Sequence, residues 1–532
     1  MRSRVGASAR CGFAGLLLLA FAADLAALPW EERTWRSFRT DNFLVLSDAQ
    51  PSQARDLAAD LETLRLALAA TTSLELASPV PTVVFLFEHE GSMRSYKHLI
   101  DGEPATLSGA FYSASHADFL TINGRERREA TVTVFHEYVH KVLRDNVPNL
   151  PLWLEEGLAE LFSTFTVRAA GRAAGDSTES GGAGDVLGQG IVGLPTAWNL
   201  EVLASREHLP LEELLAVEPS SPHYTQFDHQ GIFYAQSWAL VHYLWLGGNE
   251  TRRRQALDYL TATLGGMPRA EAFRAAFGVE PAVLEAAVRA HREAGFGVRA
   301  VHLGALEPVR VASGPLRHAE VLVRLGELLT AQTGREPEAE RHFREALRLE
   351  REHGEVGSVV GQARALAGLG MLAARRGDLS RARALYGDAV RMQATQVGAD
   401  DPLVHFLYGS SLVVFGRGTR AEKLLEARRH LVRSLELDPA FAPAWARLRE
   451  VETHLGDRLP GAARPTLENA DIALRLLVLY ARAGDRAAAR QLVADFFERH
   501  TEGAVRADAQ RILARLDWLA AERTEPPELF SR

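Results

Sequence analysis

The sequence predicts an α+β unit built on a mixed sheet and packed helices, followed by an all-α array of helical repeats. Three observations carry this. Strand-like apolar segments alternate with helical ones through the first third of the chain. A helical segment in that region bears His136-Glu137-Tyr138-Val139-His140. From about Leu316 the composition turns to alanine, leucine and arginine with internal repetition. With 532 residues and 47% apolar content, the chain has material for two or more cores and is not disordered.

The first element is a secretory signal at 1–22. Arg2, Arg4 and Arg10 precede an apolar run from Phe13 to Ala22 that is too short to span a bilayer comfortably. Ala20-Phe21-Ala22 offers a cleavage site, with slippage toward Ala27. The expected location is exported, periplasmic or extracellular, with an uncleaved N-terminal membrane anchor as the alternative. Cys11 is the only cysteine and leaves with the signal, so the mature chain has no thiol and its stability rests on packing. The formal charge of −8 falls by three to about −11 without the signal arginines, which argues against nucleic acid as a partner. No second apolar stretch approaches membrane-spanning length.

Residues 38–46 read as a strand, followed by a helix over 54–70. Val83-Val84-Phe85-Leu86-Phe87 is continuously apolar, as a central strand is. Residues 107–112 and 119–123 read as a hairpin just upstream of the histidine-bearing helix.

In that helix Val132, Phe135, Val139, Val142 and Leu143 recur at helical spacing, so one face is buried and the histidines lie near its edge. Asn123-Gly124 precedes it, Glu126 and Glu129 favour its first turn, and Asp145-Asn146-Val147-Pro148 stops it. Positions i and i+4 project from one face, so His136 and His140 can chelate one ion while Glu137 points toward a bound water. A second helix starting near Pro151 can return Glu156 to the two histidines. Two histidines and one carboxylate leave an open metal position, the ligand set of a catalytic zinc. A solvated His/Glu face is the competing reading of these residues.

His-Glu-x-x-His with Trp153-Leu154-Glu155-Glu156-Gly157-Leu158-Ala159 resembles the gluzincin zinc metallopeptidases. The resemblance implies one zinc held by His136, His140 and Glu156, with Glu137 as general base. It places Glu160 as an acidic partner hydrogen-bonding a ligand imidazole, and leaves Glu155 as a solvated helix residue. The implied fold is zincin-like, with an edge strand that binds extended peptide by adding it to the sheet. Gluzincin aminopeptidases hold the substrate amine with a glutamate on the strand before the zinc helix. In Gly109-Ala110-Phe111-Tyr112-Ser113 that place falls to Tyr112, which disfavours aminopeptidase activity and shifts the resemblance toward endopeptidases.

Residues 169–190, rich in Gly, Ala, Ser and Asp, read as a loop beside the site, either a lid or a tolerated insertion. Residues 233–244 read as a buried helix that closes the unit. Tyr234 near its start is the candidate oxyanion donor, with His223, Tyr224 and His229 as competitors, and His242 reads as a packing residue.

Leu325-Gly326, Ala339, Phe343 and Ala346 recur as Leu369-Gly370, Ala382, Tyr386 and Ala389, then as Ala427, Leu431 and Ser434, and later as Gly484, Ala489, Val493 and Phe496. These are similar to the small and large positions of tetratricopeptide (TPR) helix pairs, with a longer period of about 43 to 45 residues. Such arrays present a groove that takes peptide or a protein partner. The expected organisation is the signal at 1–22, the α+β unit over 30–300, repeats over 316–520 and a tail at 521–532. The expected activity is peptide-bond hydrolysis. A non-hydrolytic zinc-stabilised domain on a TPR scaffold is the alternative, against which the intact Glu137 argues.

Overall fold

The computed structural model describes residues 33–517 apart from 101, 148–149, 169–186, 248–249, 306, 354–358, 415–420, 456–469, 483–484, 498–509, 511–512 and 515–516. The expected signal and tail lie outside these residues, as do His229's side chain, Gly484 and the side chain of Phe496. The described chain belongs almost wholly to one compact unit starting at Trp35.

The first half runs β1 (Arg36–Arg39), β2 (Phe43–Ser47), α1 (Pro51–Thr71), β3 (Thr82–Phe87), α2 (Glu90–Met93), a 3-10 turn at Arg94–Tyr96, β4 (Leu99–Ile100), β5 (Glu103–Pro104), β6 (Gly109–Ser113) and β7 (Asp118–Asn123). Next come α3 (Arg127–Asn146), α4 (Leu152–Ser163), β8 (Thr166–Arg168), β9 (Leu187–Val192), α5 (Ala197–Ser205), α6 (Leu211–Ala216), α7 (Pro222–Thr225) and α8 (Phe227–Leu246). The unit continues with α9 (Glu250–Leu264), α10 (Arg269–Phe277), α11 (Pro281–Glu293), β10 (Arg299–Ala305) and β11 (Ala312–Pro315).

Six strands form one mixed sheet in the order β11-β1-β2-β3-β7-β6. The β2-β3 and β3-β7 pairs are parallel and the rest antiparallel, and among the described residues β6 is a free edge. All six residues of β3 are buried, as its continuous apolar run requires. The strand expected over 38–46 is two strands. The chain turns at 40–42, where Thr40 Oγ1 and both nitrogens of Asn42 donate to the Glu62 carboxylate of α1. An Asp41-Asn42 pair suits such a turn better than a strand interior. The loop expected over 169–190 ends earlier, because 187–192 pair as β9 between β8 and β10. The sixth strand, β11, lies past residue 300.

Strand alternation sends side chains to two cores. Val84, Leu86, Leu120 and Ile122 pack with α1 and α3, through Leu57, Leu61, Leu64, Val134, Tyr138 and Val142. Phe85, Phe87 and Phe119 go to the other face, around Trp35 and Tyr96.

The second half is helical: α12 (His318–Thr330), α13 (Glu336–His353), α14 (Val359–Arg375), α15 (Leu379–Gln393), α16 (Pro402–Val414), α17 (Ala421–Leu437), α18 (Ala442–Leu455), α19 (Ala470–Arg482) and α20 (Arg486–Phe497). Helices pack in successive pairs, and the first helices of successive pairs, α12, α14, α16 and α18, line up against one another. The repeated small and large residues are buried, with Ala339, Phe343, Ala389, Ala427 and Leu431 fully enclosed. A methyl at Gly326 would meet the Phe343 ring at 2.7 Å, which requires a residue without a side chain, and one at Gly370 would press on Tyr386 at 3.1 Å. Among the described residues no helix is long and apolar enough to cross a membrane.

Candidate metal centre

Helices α3 and α4 build the centre. Phe135, Val139, Val142 and Leu143 of α3 are buried and Val132 half-buried, which turns His136, Glu137 and His140 toward α4 and β6. Pro151 starts α4 after the turn, and Gly157 lets α4 lie close on α8. A methyl there would stand 2.4 Å from Val241 Cγ2 and 2.6 Å from the Ser237 carbonyl oxygen. The close approach seats Glu156 inside, 2% exposed.

Nε2 of His136, Nε2 of His140 and Oε2 of Glu156 form a triangle with edges of 3.0, 3.3 and 3.2 Å. Tetrahedral coordination with bonds of about 2.0–2.1 Å spaces its ligand atoms by about 3.3 Å, so one small ion fits the three. Glu156 Oε2 is buried without a well-aligned hydrogen bond of its own. The far sides of both rings are held by carboxylates: His140 Nδ1 lies 3.0 Å from Glu155 Oε1, and His136 Nδ1 lies 3.3 Å from Glu160 Oε1. Carboxylates at Nδ1 leave the Nε2 lone pairs for a cation, the arrangement that orients metal-binding histidines.

The electrostatics agree. Burial opposes charge on His136, yet Glu156 and Glu160 outweigh it and hold its pKa well above the ordinary value. His140 is pushed up to about 9, with burial again opposing and Glu156 and Glu155 prevailing. Glu156, despite its burial, is held far below the usual carboxylate range by His140 and His136. Such a pocket favours positive charge, and a divalent ion can replace the protons.

Glu155 departs from expectation. It is 8% exposed rather than solvated, because the side of α4 that carries it is covered, and its Oε1 also accepts from Arg144 Nε at 3.0 Å. Arg144 in turn lies over the Phe111 ring, 5.4 Å from its centroid, so β6, α3 and the His140 partner are linked. Glu160 is held from its other oxygen by Asn199 Nδ2 of α5 at 3.0 Å. Sequence reasoning missed Glu155 and Asn199. Successive carboxylates on a helix buried nearly all round cannot be ranked by periodicity.

Two tyrosines reach the centre from the α7–α8 bend. Tyr224 donates to Glu156 Oε1 at 3.1 Å. The Tyr234 ring lies 6.3 Å from that of His136 and 6.3 Å from that of Tyr224. Burial and the Glu156 charge raise both phenol pKa values, keeping them protonated donors. His223 instead pairs with Glu213, and His242 is a packed residue bonded to His291 and the Gly297 carbonyl.

Glu137 stands half-buried between the two histidines, beside β6. A methyl at Gly109 would lie 2.3 Å from Thr133 Cγ2 and 3.6 Å from Glu137 Cγ, so glycine lets the edge strand pass tightly over this turn of α3. Tyr112, three residues on, has its hydroxyl 3.3 Å from the His98 backbone nitrogen, and burial pushes its pKa up to about 12. No family model and no curated protein matches the chain.

Proposed function

We propose that the chain is an exported zinc-dependent metallopeptidase of gluzincin type that hydrolyses peptide bonds as an endopeptidase. The observation that carries this reading is the convergence of His136, His140 and Glu156 on one point, with both imidazoles backed by carboxylates, beside Glu137 and a free sheet edge. Two nitrogens and one carboxylate oxygen suit zinc better than magnesium or calcium, which prefer all-oxygen sites.

Zinc bound there supplies a Lewis acid that acidifies water and polarises a carbonyl. Every other part falls to the chain. His136, His140 and Glu156 hold the ion, and Glu155 and Glu160 fix the two rings. Glu137 takes the proton of the attacking water and returns it to the leaving amine. Tyr234 donates to the oxyanion that develops as the carbonyl is attacked, and Tyr224, bonded to Glu156 and packed against the Tyr234 ring, orients it. The unpaired edge of β6 takes the substrate as an additional strand. Tyr112 bonds His98 and offers no carboxylate to a substrate amine, which supports internal cleavage over removal of N-terminal residues. The helical pairs of the second half are read as TPR-like repeats that hold a protein partner or part of the substrate.

The test is metal analysis of purified protein. About one zinc per chain is expected. His136→Ala is expected to lose it while keeping its helical circular dichroism. Glu155→Gln keeps all three ligands and is expected to weaken zinc by about 10- to 100-fold in a chelator competition. A wild-type chain that is folded and binds no zinc in equilibrium titration overturns the reading.

A further inference from the structure

The helix that carries Tyr234 has a second, separate surface. Ser237 and Val241 of α8 face α4 across Gly157, whereas Gln236, Ala239 and Leu240 are turned away from α4 and line a pocket. Helices α5, α6, α8 and α11 enclose it, with a volume of about 480 Å³ when its open mouth is counted. Small-molecule sites run from about 300 to 1,000 Å³. The walls are apolar: Leu203 of α5, Leu211 and Leu214 of α6, Leu240 of α8 and Val288 of α11. The four leucines are exposed by 4% or less, yet they border a space that no described side chain fills. Interiors are ordinarily close-packed, and walls beside a gap forgo contacts that an occupant would supply.

The rim of the pocket is polar, and most of its groups are engaged within the protein. Gln236 Oε1 accepts from Leu209 N at 2.8 Å, and its Nε2 donates to the Leu209 carbonyl at 3.0 Å. Glu285 lies 3.3 Å from Arg289 Nη2, and its other oxygen accepts from Leu211 N at 3.4 Å, so that carboxylate has its own cation. Arg292 is different. Its Nη1 donates to the Leu203 carbonyl at 2.9 Å, which orients the guanidinium, and its Nε and Nη2 have no partner among the described residues. His208 Nε2 stands 2.9 Å from the same carbonyl and brings no negative charge. Arg289 and Arg292 against Glu285 alone leave one positive charge in excess. A half-buried guanidinium with two free donor nitrogens beside apolar walls suits a carboxylate carried on a hydrocarbon chain. We propose that this pocket binds a small carboxylic acid with a short aliphatic chain, its carboxylate on Arg292 and its chain among the leucines. The site is distinct from the metal centre and independent of the peptidase reading. It adjoins the frame of that centre: Leu203 is one turn along α5 from Asn199, which holds Glu160, and Gln236 is two residues beyond Tyr234 on α8. An occupant therefore ties together the helices that carry both groups.

Titration calorimetry of the full chain with hexanoate tests this. A carboxylate can also ligate zinc, so wild type is titrated before and after its metal is stripped with a chelator. Saturable binding at one site, with a Kd on the order of a millimolar or tighter, is expected in both states. Hexanamide has the same shape without the charge and should bind more weakly by about tenfold or more. Arg292→Gln should weaken hexanoate by about tenfold or more and bring it level with hexanamide. Val288→Phe fills the pocket without removing a polar group, and should weaken both probes by about tenfold or more. Circular dichroism checks that each variant is folded, and the comparison of the two probes on wild type decides the matter if a variant is not. Hexanoate that does not saturate, hexanamide that binds equally well, or a folded variant that binds hexanoate as wild type does overturns the inference. Binding that disappears with the metal places the acid on the zinc and overturns it as well. None of these failures touches the peptidase reading, which stands or falls on zinc content and hydrolysis.

Discussion

Glu137→Gln is expected to retain zinc and to lose hydrolysis of an unstructured polypeptide by at least a factor of about 10²–10⁴, the range attributed to one positioned acid–base group. The side chain lies on α3 between His136 and His140, and among the described residues no protein group hydrogen-bonds or pairs with it. It is therefore available to a water. Glutamine has the same shape and similar packing but no basic oxygen, so the loss falls on kcat. The ligand triangle of His136, His140 and Glu156 does not include residue 137, so zinc content should equal that of wild type. Measuring kcat and zinc on the same preparation separates the roles. A variant that loses its metal assigns Glu137 a structural role, and one that keeps full activity removes it from the mechanism. The outcome also decides against the non-hydrolytic scaffold, which predicts an inert wild type.

Much of this centre was legible because it is local. The apolar spacing of α3, the stop at 145–148 and the restart at Pro151 are short-range signals, and they place His136, His140 and Glu156 on two consecutive helices. The hairpin of β6 and β7 was legible for the same reason. What escaped depends on contacts between distant segments. Nothing in Ala312-Ser313-Gly314-Pro315 marks a strand, yet it pairs with β1 across nearly 280 residues. Glu155 was read as solvated, since its burial comes from packing around α4 that no periodicity in α4 reveals. Tyr224 meets Glu156 because the chain bends at Gln226 between α7 and α8. The seating of the array on the aromatic face of the sheet depends on Gln332 and Arg335, in the turn between α12 and α13, which donate to backbone carbonyls at 95–97, and carbonyls carry no sequence signature.

Lys141→Met is expected to be the most destabilising single change near the centre, costing about 3–5 kcal/mol. Lys141 is one turn beyond Glu137 on α3, with its side chain 2% exposed. Its Nζ lies 2.5 Å from Asp145 Oδ2 and 3.8 Å from Asp118 Oδ2, and both carboxylates are buried, at 3% and 0% exposure. Asp118 opens β7 and accepts from Ser113 Oγ of β6 at 2.8 Å. The lysine therefore fixes the rotation and height of α3 against the two strands that carry the free edge, and through them the place of Glu137 beside Gly109. Methionine fills similar volume but removes the ammonium from beside two buried carboxylates, and the loss of that compensating charge is the source of the cost. The pair attraction itself is largely offset by the desolvation of three charged groups. Adding Asp118→Asn and Asp145→Asn to Lys141→Met should therefore recover most of the loss, because the amides can keep hydrogen bonds without charge. Urea unfolding of wild type, single and triple variants decides the matter. If the triple variant is as unstable as the single one, the lysine acts by shape and hydrogen bonding, and the buried charges do not fix the helix.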